Sequence, residues 1–218
     1  MGLSYDQKYA VQIYWIESRQ AKHQHREFIG DINQRSIQCQ SLDTIPEGEL
    51  SELEYTVMLS CGRLHIVSNG PQTELLANLC VNANLSYHVG KTTQMAPGKM
   101  SSTRITGVTD IHRSSSTHFL CAITPSENII GEVVYKYPCK ELAPGFGYCI
   151  TTYSRTNSSL IPFSGKPHLL ALPELTDNLE EVLWDCMPPN LRAGIVIKKI
   201  DLIDGTISVR WRNRGLYT

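Results

Sequence analysis

Short runs of β-branched and aromatic residues fill most of this 218-residue chain, and helical periods are few. The strongest run, Tyr9–Ile16 (YAVQIYWI), reads as a buried strand. Gln34–Gln40 is a weaker one. Leu53–Ser60 and Arg63–Ser68 flank Cys61-Gly62 as a hairpin, and Thr103–Val108, Thr117–Thr124 and Asn128–Tyr137 follow. Tyr148–Tyr153 comes after the turn Pro144-Gly145-Phe146-Gly147. The sharpest turn signal is Asp204-Gly205 between Ile195–Ile203 and Thr206–Arg212, because a two-residue hairpin loop wants positive φ.

Only two segments carry helix signals. Pro71–Ser86 opens on a proline suited to a first turn and continues through Glu74, Leu75, Leu76, Leu79 and Cys80. The second follows Asp177-x-x-Glu180, a capping-box pattern, with Leu179, Val182, Leu183 and Cys186 on one face and Pro188-Pro189 as its stop. These helices fall between groups of strands rather than after every strand. The pattern predicts about nine or ten strands in an α+β fold of mostly antiparallel sheet, not a doubly wound parallel one. With no internal repeat, no low-complexity tract and no composition break, residues 1–218 read as a single domain, and the segment 154–168 reads as a loop within it.

Composition removes several classes of function. The chain is 41% hydrophobic and 19% charged, which excludes a disordered segment. Its net charge of -1 is not that of a nucleic-acid binder. No apolar run approaches the ~18 residues of a membrane span. Met1 to Lys8 offers no secretory stretch, and Tyr5 and Asp6 fit a myristoylation signal at Gly2 poorly. Seven cysteines, an odd number without a C-x-x-C, predict buried reduced thiols and a cytosolic compartment. The histidines are dispersed apart from His23-x-His25, so neither a metal site nor a cofactor is expected.

No standard catalytic signature is present, but four polar clusters sit at element ends. Ser18 to Arg26, after the strongest strand, is a local basic patch. It reads as a solvated loop or as an anion clamp built on Arg19 and Arg26. Ser68-Asn69-Gly70-Pro71-Gln72-Thr73 precedes a helix, where free amides favour an anion and where plain capping also accounts for the residues. Ser101-Ser102-Thr103-Arg104-Ile105 brings an arginine to a strand entry. Ile150-Thr151-Thr152-Tyr153-Ser154 ends a strand in hydroxyls. Tyr153 and Tyr55 are each a half-buried wedge or a proton donor.

Taken in order, these clusters resemble the archaeal-type IMP cyclohydrolase family and its bacterial IMP cyclohydrolase-like relatives. The resemblance runs from Ala10-Val11-Gln12-Ile13-Tyr14-Trp15-Ile16 and the Arg19 to Phe28 loop, through Tyr55 placed fifteen residues before Gly70 in Ser68-Asn69-Gly70-Pro71-Gln72-Thr73-Glu74. It continues through Thr103-Arg104-Ile105, Gly147 to Tyr153, Pro162 to Pro167 and the final hairpin, covering about residues 9–212. It implies a four-layer αββα sandwich like that of the N-terminal-nucleophile hydrolases, here without a Cys, Ser or Thr at the start. It also implies a homo-oligomer and an intramolecular ring closure in which a carboxamide nitrogen attacks a neighbouring formyl carbon and water leaves. Such a site has to hold a near-attack conformer and steady an oxyanion. Carried onto this chain, the resemblance implies Tyr55, Arg26 and Tyr153 as catalytic groups. Arg19, Asn69, Gly70, Thr73, Arg104 and Thr152 would bind a small anionic substrate.

The chain departs from the family at Ser18, Thr56 and Thr103, and Thr93 to Met100 carries no acid where the family has Glu and Asp. Three readings therefore stand. One is a cyclohydrolase-like enzyme, acting on a purine precursor or on another metabolite. The second is a non-catalytic binder of nucleotides or other anionic metabolites. The third is a scaffold using Arg210-Trp211-Arg212 as an interface.

Overall fold

A computed structural model describes residues 1–17, 25–31, 35–42, 54–80, 103–112, 115–125, 132–139, 142–155, 160–163, 165–175 and 177–215. Among these residues the chain forms fifteen strands and two helices, and every strand pair is antiparallel. The expected α+β class with mostly antiparallel sheet is what the chain adopts.

One sheet has seven strands in sequence order: β3 (Arg26–Gly30), β4 (Ser36–Ser41), β5 (Tyr55–Cys61), β6 (Leu64–Ser68), β7 (Arg104–His112), β8 (Ser115–Pro125) and β9 (Glu132–Cys139). The other has six, in the order β13 (His168–Ala171), β10 (Phe146–Cys149), β1 (Gly2–Leu3), β2 (Tyr9–Glu17), β14 (Arg192–Asp201) and β15 (Ile207–Asn213). A separate two-stranded ribbon pairs β11 (Tyr153–Arg155) with β12 (Leu160–Pro162). The helices are α1 (Gln72–Cys80) and α2 (Leu179–Cys186).

Alternation along the strands sets the layers, because successive side chains point to opposite faces. Tyr14 and Ile16 of β2, with Val196 and Val209, pack against Phe28, Ile37, Cys39, Tyr55 and Met58 of the larger sheet, which puts the main core between the two sheets. On the far side of the larger sheet, Leu76 and Ala77 of α1 cover Leu64, Ile66, Val108, Cys121 and Ile123. On the far side of the smaller sheet, Leu179 and Trp184 of α2 cover Val11, Ile195 and Ile197. The sheets approach closely where β14 crosses β3. A Cβ on Gly194 would lie 2.5 Å from the Phe28 ring, so only glycine fits there. Beside it, Asn213 closes the edge of β3 with its amide, accepting from Phe28 N at 2.7 Å and donating to Phe28 O at 3.1 Å.

Several elements differ from the sequence reading. Arg26–Gly30 is a strand, although it follows a basic run that reads as loop. Tyr148–Tyr153 is not one strand: β10 ends at Cys149 and β11 begins at Tyr153. The segment 154–168 is not all loop, since it carries β12 and the start of β13. The capping box at Asp177 does not form. Asn178 is the N-cap, with no side-chain bond to the helix, and the Asp177 carboxylate instead meets Arg210 Nη2 at 3.1 Å. The first helix spans Gln72–Cys80, and the rest of the expected Pro71–Ser86 helix lies outside the described residues. A hairpin forms around Asp204-Gly205, but not on the expected two-residue turn. β14 ends at Asp201 and β15 begins at Ile207, and within that longer loop Gly205 takes φ 75° while Asp204 does not have positive φ. Cys39, Cys121 and Cys139 are buried, and the six described thiols, these three with Cys61, Cys149 and Cys186, are all free. No described helix is long and apolar enough to cross a membrane.

Candidate functional site

β1 pairs with β2 and β10 over only two residues, Gly2 and Leu3. Farther along, no described strand bridges β2 and β10, and a cleft opens through the sheet. Its two walls are Ile13, Tyr14 and Trp15 on one side and Tyr148, Cys149 and Ile150 on the other. Its floor is Val67, Ser68 and Ile105 to Gly107 of the larger sheet. The interior space is about 100 Å³ and its lining is mainly apolar.

Tyr14 connects this cleft to a buried polar cluster. Its hydroxyl lies 2.8 Å from that of Tyr55, and both phenols are enclosed. Tyr55 reaches the inter-sheet space because β5 carries a bulge. Met58 pairs with Ile37 but Thr56 pairs with Gln38, so Val57 is an extra residue. Tyr55 and Met58 thereby both join the inner core, while Thr56 turns to α1 and donates to Glu74 Oε1 at 2.6 Å. Arg26 enters the same space from the first residue of β3. It is only 7% exposed, and its Nε has no hydrogen-bond partner. Burial drives the Tyr14 and Tyr55 hydroxyls well above the ordinary phenol range and pushes the neighbouring Cys39 thiol up to about 11; the Arg26 charge opposes each shift. At neutral pH these are proton-bearing donors beside a guanidinium, a set that can receive an anionic oxygen.

Asn69 organises the opposite corner. Its Oδ1 accepts from Ile105 N at 2.6 Å, and its Nδ2 donates to Thr103 O at 3.0 Å and to Thr152 Oγ1 at 3.3 Å. Gly70 offers its carbonyl to Ser68 Oγ at 3.2 Å and to Thr73 Oγ1 at 3.4 Å, and the Ser68 and Thr73 hydroxyls bond each other. These residues build the strand-to-helix turn and tie β6, β7 and the 150–153 segment together. Asn69→Ala is expected to lower stability by about 2 kcal/mol, since it strands a part-buried amide as well as losing its own bonds; denaturant titration measures it.

The nine expected site residues therefore separate. Arg26 and Tyr55 share the inter-sheet cluster, and Asn69, Gly70, Thr73 and Thr152 share the corner beside the cleft. Tyr153 starts β11 next to that corner, half-buried. Arg104 sits apart. It pairs with Ile123, which packs under α1, whereas its neighbour Ile105 faces the inter-sheet side. The register thus gives Arg104 to the helix-bearing face, where its Nη1 is buried without a partner. Arg19 lies outside the described residues.

A second polar array was not anticipated. Ser60, His65, Thr109 and His118 stand opposite one another across β5 to β8. Ser60 Oγ is 3.0 Å from His65 Nδ1, and Thr109 Oγ1 is 3.1 Å from His118 Nδ1. Gln12 of β2 closes the row, donating from Nε2 to His65 O at 2.8 Å and to Thr109 Oγ1 at 3.2 Å. Lys198, paired with Gln12, is fully buried beside it. Strand alternation carries the signal for this row. Gln12 falls between Ala10 and Tyr14 on the inward face of β2, and Lys198 falls between Val196 and Ile200 on that of β14. Among the described residues no three His, Cys, Asp or Glu side chains converge as a metal site. No protein-family model matches the chain, and no curated protein matches it.

Proposed function

We propose that this protein is an IMP cyclohydrolase-like enzyme that closes a ring within a small anionic molecule with loss of water, or runs the reverse hydrolysis. The observation that carries the reading is the Tyr14–Tyr55 hydroxyl pair beside the buried Arg26, with Tyr14 also lining the cleft in the smaller sheet. The reaction has to form one C–N bond as an amide nitrogen attacks a formyl carbon, and has to release the formyl oxygen as water. Because both reacting groups are on one molecule, holding them in contact supplies much of the acceleration. A phenol donor and a guanidinium suit the oxygen that gains charge on the way. The order of helix, sheet, sheet and helix supports the four-layer αββα sandwich of that family, which is like that of the N-terminal-nucleophile hydrolases. Arg19 and Arg104 belong to the proposed anion-binding set through the resemblance alone.

Incubation with formamidoimidazole carboxamide ribonucleotide, followed by absorbance, tests the assignment. Ring closure above background is expected. Tyr55→Phe and Arg26→Ala should each lower kcat/KM by about ten- to a hundredfold, the worth of one hydrogen bond to a charged group. No turnover, with the substrate still raising the melting temperature, would replace the enzyme by the non-catalytic binder. Neither turnover nor stabilisation would remove the purine assignment.

A further inference from the structure

The other end of the inter-sheet space holds a second cavity, of about 340 Å³, lined by Arg35, Ser60, Arg63, His65, Ile111 and Ile207. It is distinct from the cleft above: on β6 the cleft takes Val67 and Ser68 while this cavity takes His65, and on β7 the cleft takes Ile105 to Gly107 while this cavity takes Ile111. Its size lies at the low end of the range for small-molecule sites, roughly 300–1,000 Å³.

Its chemistry is cationic and incomplete. Arg35 and Arg63 bring two guanidinium groups, of which Arg63 Nε lies 2.9 Å from Asp110 Oδ1. His65 stands in the wall, held by Ser60, and burial lowers its titration to about 3, so it carries no charge at neutral pH. Behind the wall is Lys198, 0% exposed, whose Nζ has no hydrogen-bond partner. Lys198 is placed beside His65 by the strands: its partner Gln12 donates from Nε2 to His65 O at 2.8 Å, and the Lys198 charge acts on His65 as Asp31 acts on Lys198. Asp31 is itself tied to the cavity rim, because Arg35 N donates to its Oδ1 at 2.7 Å. The Gln12 Oε1 beside Lys198 is also unpartnered. A buried ammonium without an acceptor is among the most costly arrangements a core can hold, and an oxyanion next to it supplies what is missing. Guanidinium forks favour the tetrahedral oxygens of phosphate or sulfate.

We propose that this cavity binds a small phosphate-type oxyanion, free or as an ester, with Arg35 and Arg63 at its rim and Lys198 behind it. The site is independent of the cyclohydrolase reading.

The test uses sulfate and glycerol 3-phosphate on the full chain, with sodium chloride at matched ionic strength as control, read by calorimetry and melting temperature. Both anions should bind and stabilise the wild type where chloride does not. Lys198→Met removes a charge from the core and so does not endanger folding; it should weaken sulfate at least tenfold at pH 6.5. Arg35→Ala, at an exposed position, should weaken it several-fold. Sulfate keeps its charge from pH 6 to 9, so its affinity should fall across that range in the wild type, as the ammonium loses its proton near pH 7, and stay flat in Lys198→Met. Asp31, Asp110, Arg35 and Arg63 are the charged groups around the site, and His65, lowered by burial to about 3, stays neutral across the range. Tighter binding of the ester than of sulfate would identify an organic phosphate, and equal binding a free oxyanion. Unchanged affinity in both variants, or equal stabilisation by chloride, would overturn the site.

Discussion

Between pH 7 and pH 5 the fold is expected to lose about 3–4 kcal/mol of stability through two buried imidazoles. Burial lowers His65 to about 3, with the Lys198 charge adding to the shift, and lowers His118 to about 4. In the unfolded chain each titrates near 6.5. Below that value the unfolded state takes up protons that the folded state refuses, so stability falls as pH falls, and the loss continues until each folded imidazole is protonated. At pH 5 each contributes about 2 kcal/mol, a large share of the roughly 5–15 kcal/mol that holds a domain together. Denaturant titrations at pH 7 and 5 measure the loss. The double variant His65→Asn and His118→Asn should show little of it. An equally steep dependence in that variant would place the titrating groups elsewhere, and so would His65 and His118 resonances, assigned by their loss in the variant, that titrate near 6.5 in the native protein.

What could be read from the chain alone divides along a physical line. Elements whose signal is local were readable: the Tyr9–Glu17 strand from its β-branched and aromatic run, the presence of the final hairpin from Asp204-Gly205 though its loop is longer than two residues, and α1 from Pro71 and its apolar period. Elements that depend on distant partners were not. The two residues of β1 are a strand only because Gly147 and Val11 flank Gly2. The capping box at Asp177 lost to Arg210, a partner thirty-three residues away that no local motif reveals. The basic run Ser18–Arg26 reads as a solvated loop or an anion clamp, yet its last residue opens β3, is buried, and acts with its charge on Tyr55 across β4.

The site divides the same way. Residue types suited to an anion could be picked out, but not the face each would occupy. A bulge at Val57 turns Tyr55 inward, and simple alternation turns Arg104 outward from Ile105. Asn69 stands where a ligand contact was expected, and its amide is also spent on Ile105, Thr103 and Thr152. The row formed by Gln12, His65, Thr109 and His118 needed the register of four strands from two sheets before its members became neighbours. One polar residue per strand is unremarkable in a sequence, and four facing one another in a core are not.

Lys198→Met should raise stability at pH 7 by about 2–4 kcal/mol, against the usual direction for a core substitution. Burial lowers the Lys198 ammonium to about 7, with Asp31 opposing the shift. A free lysine titrates near 10.4. Between these values the unfolded chain binds a proton that the folded one has released, so wild-type stability rises with pH, by about 2 kcal/mol from pH 7 to 9. Well below pH 7 the folded protein holds the charge in full, with no hydrogen-bond acceptor for Nζ. Methionine matches the lysine stem in length and bends to fill irregular space, so the substitution removes the charge with little change in packing. The gain should be largest at or below pH 7, shrink towards pH 9, and the alkaline rise of the wild type should vanish. Sulfate divides the explanations further. If an oxyanion sits beside Lys198, saturating sulfate stabilises the wild type by mass action and not the variant, which narrows the gap between them. A variant less stable than wild type at pH 7 without sulfate would show that the ammonium already has its counter-charge inside the fold.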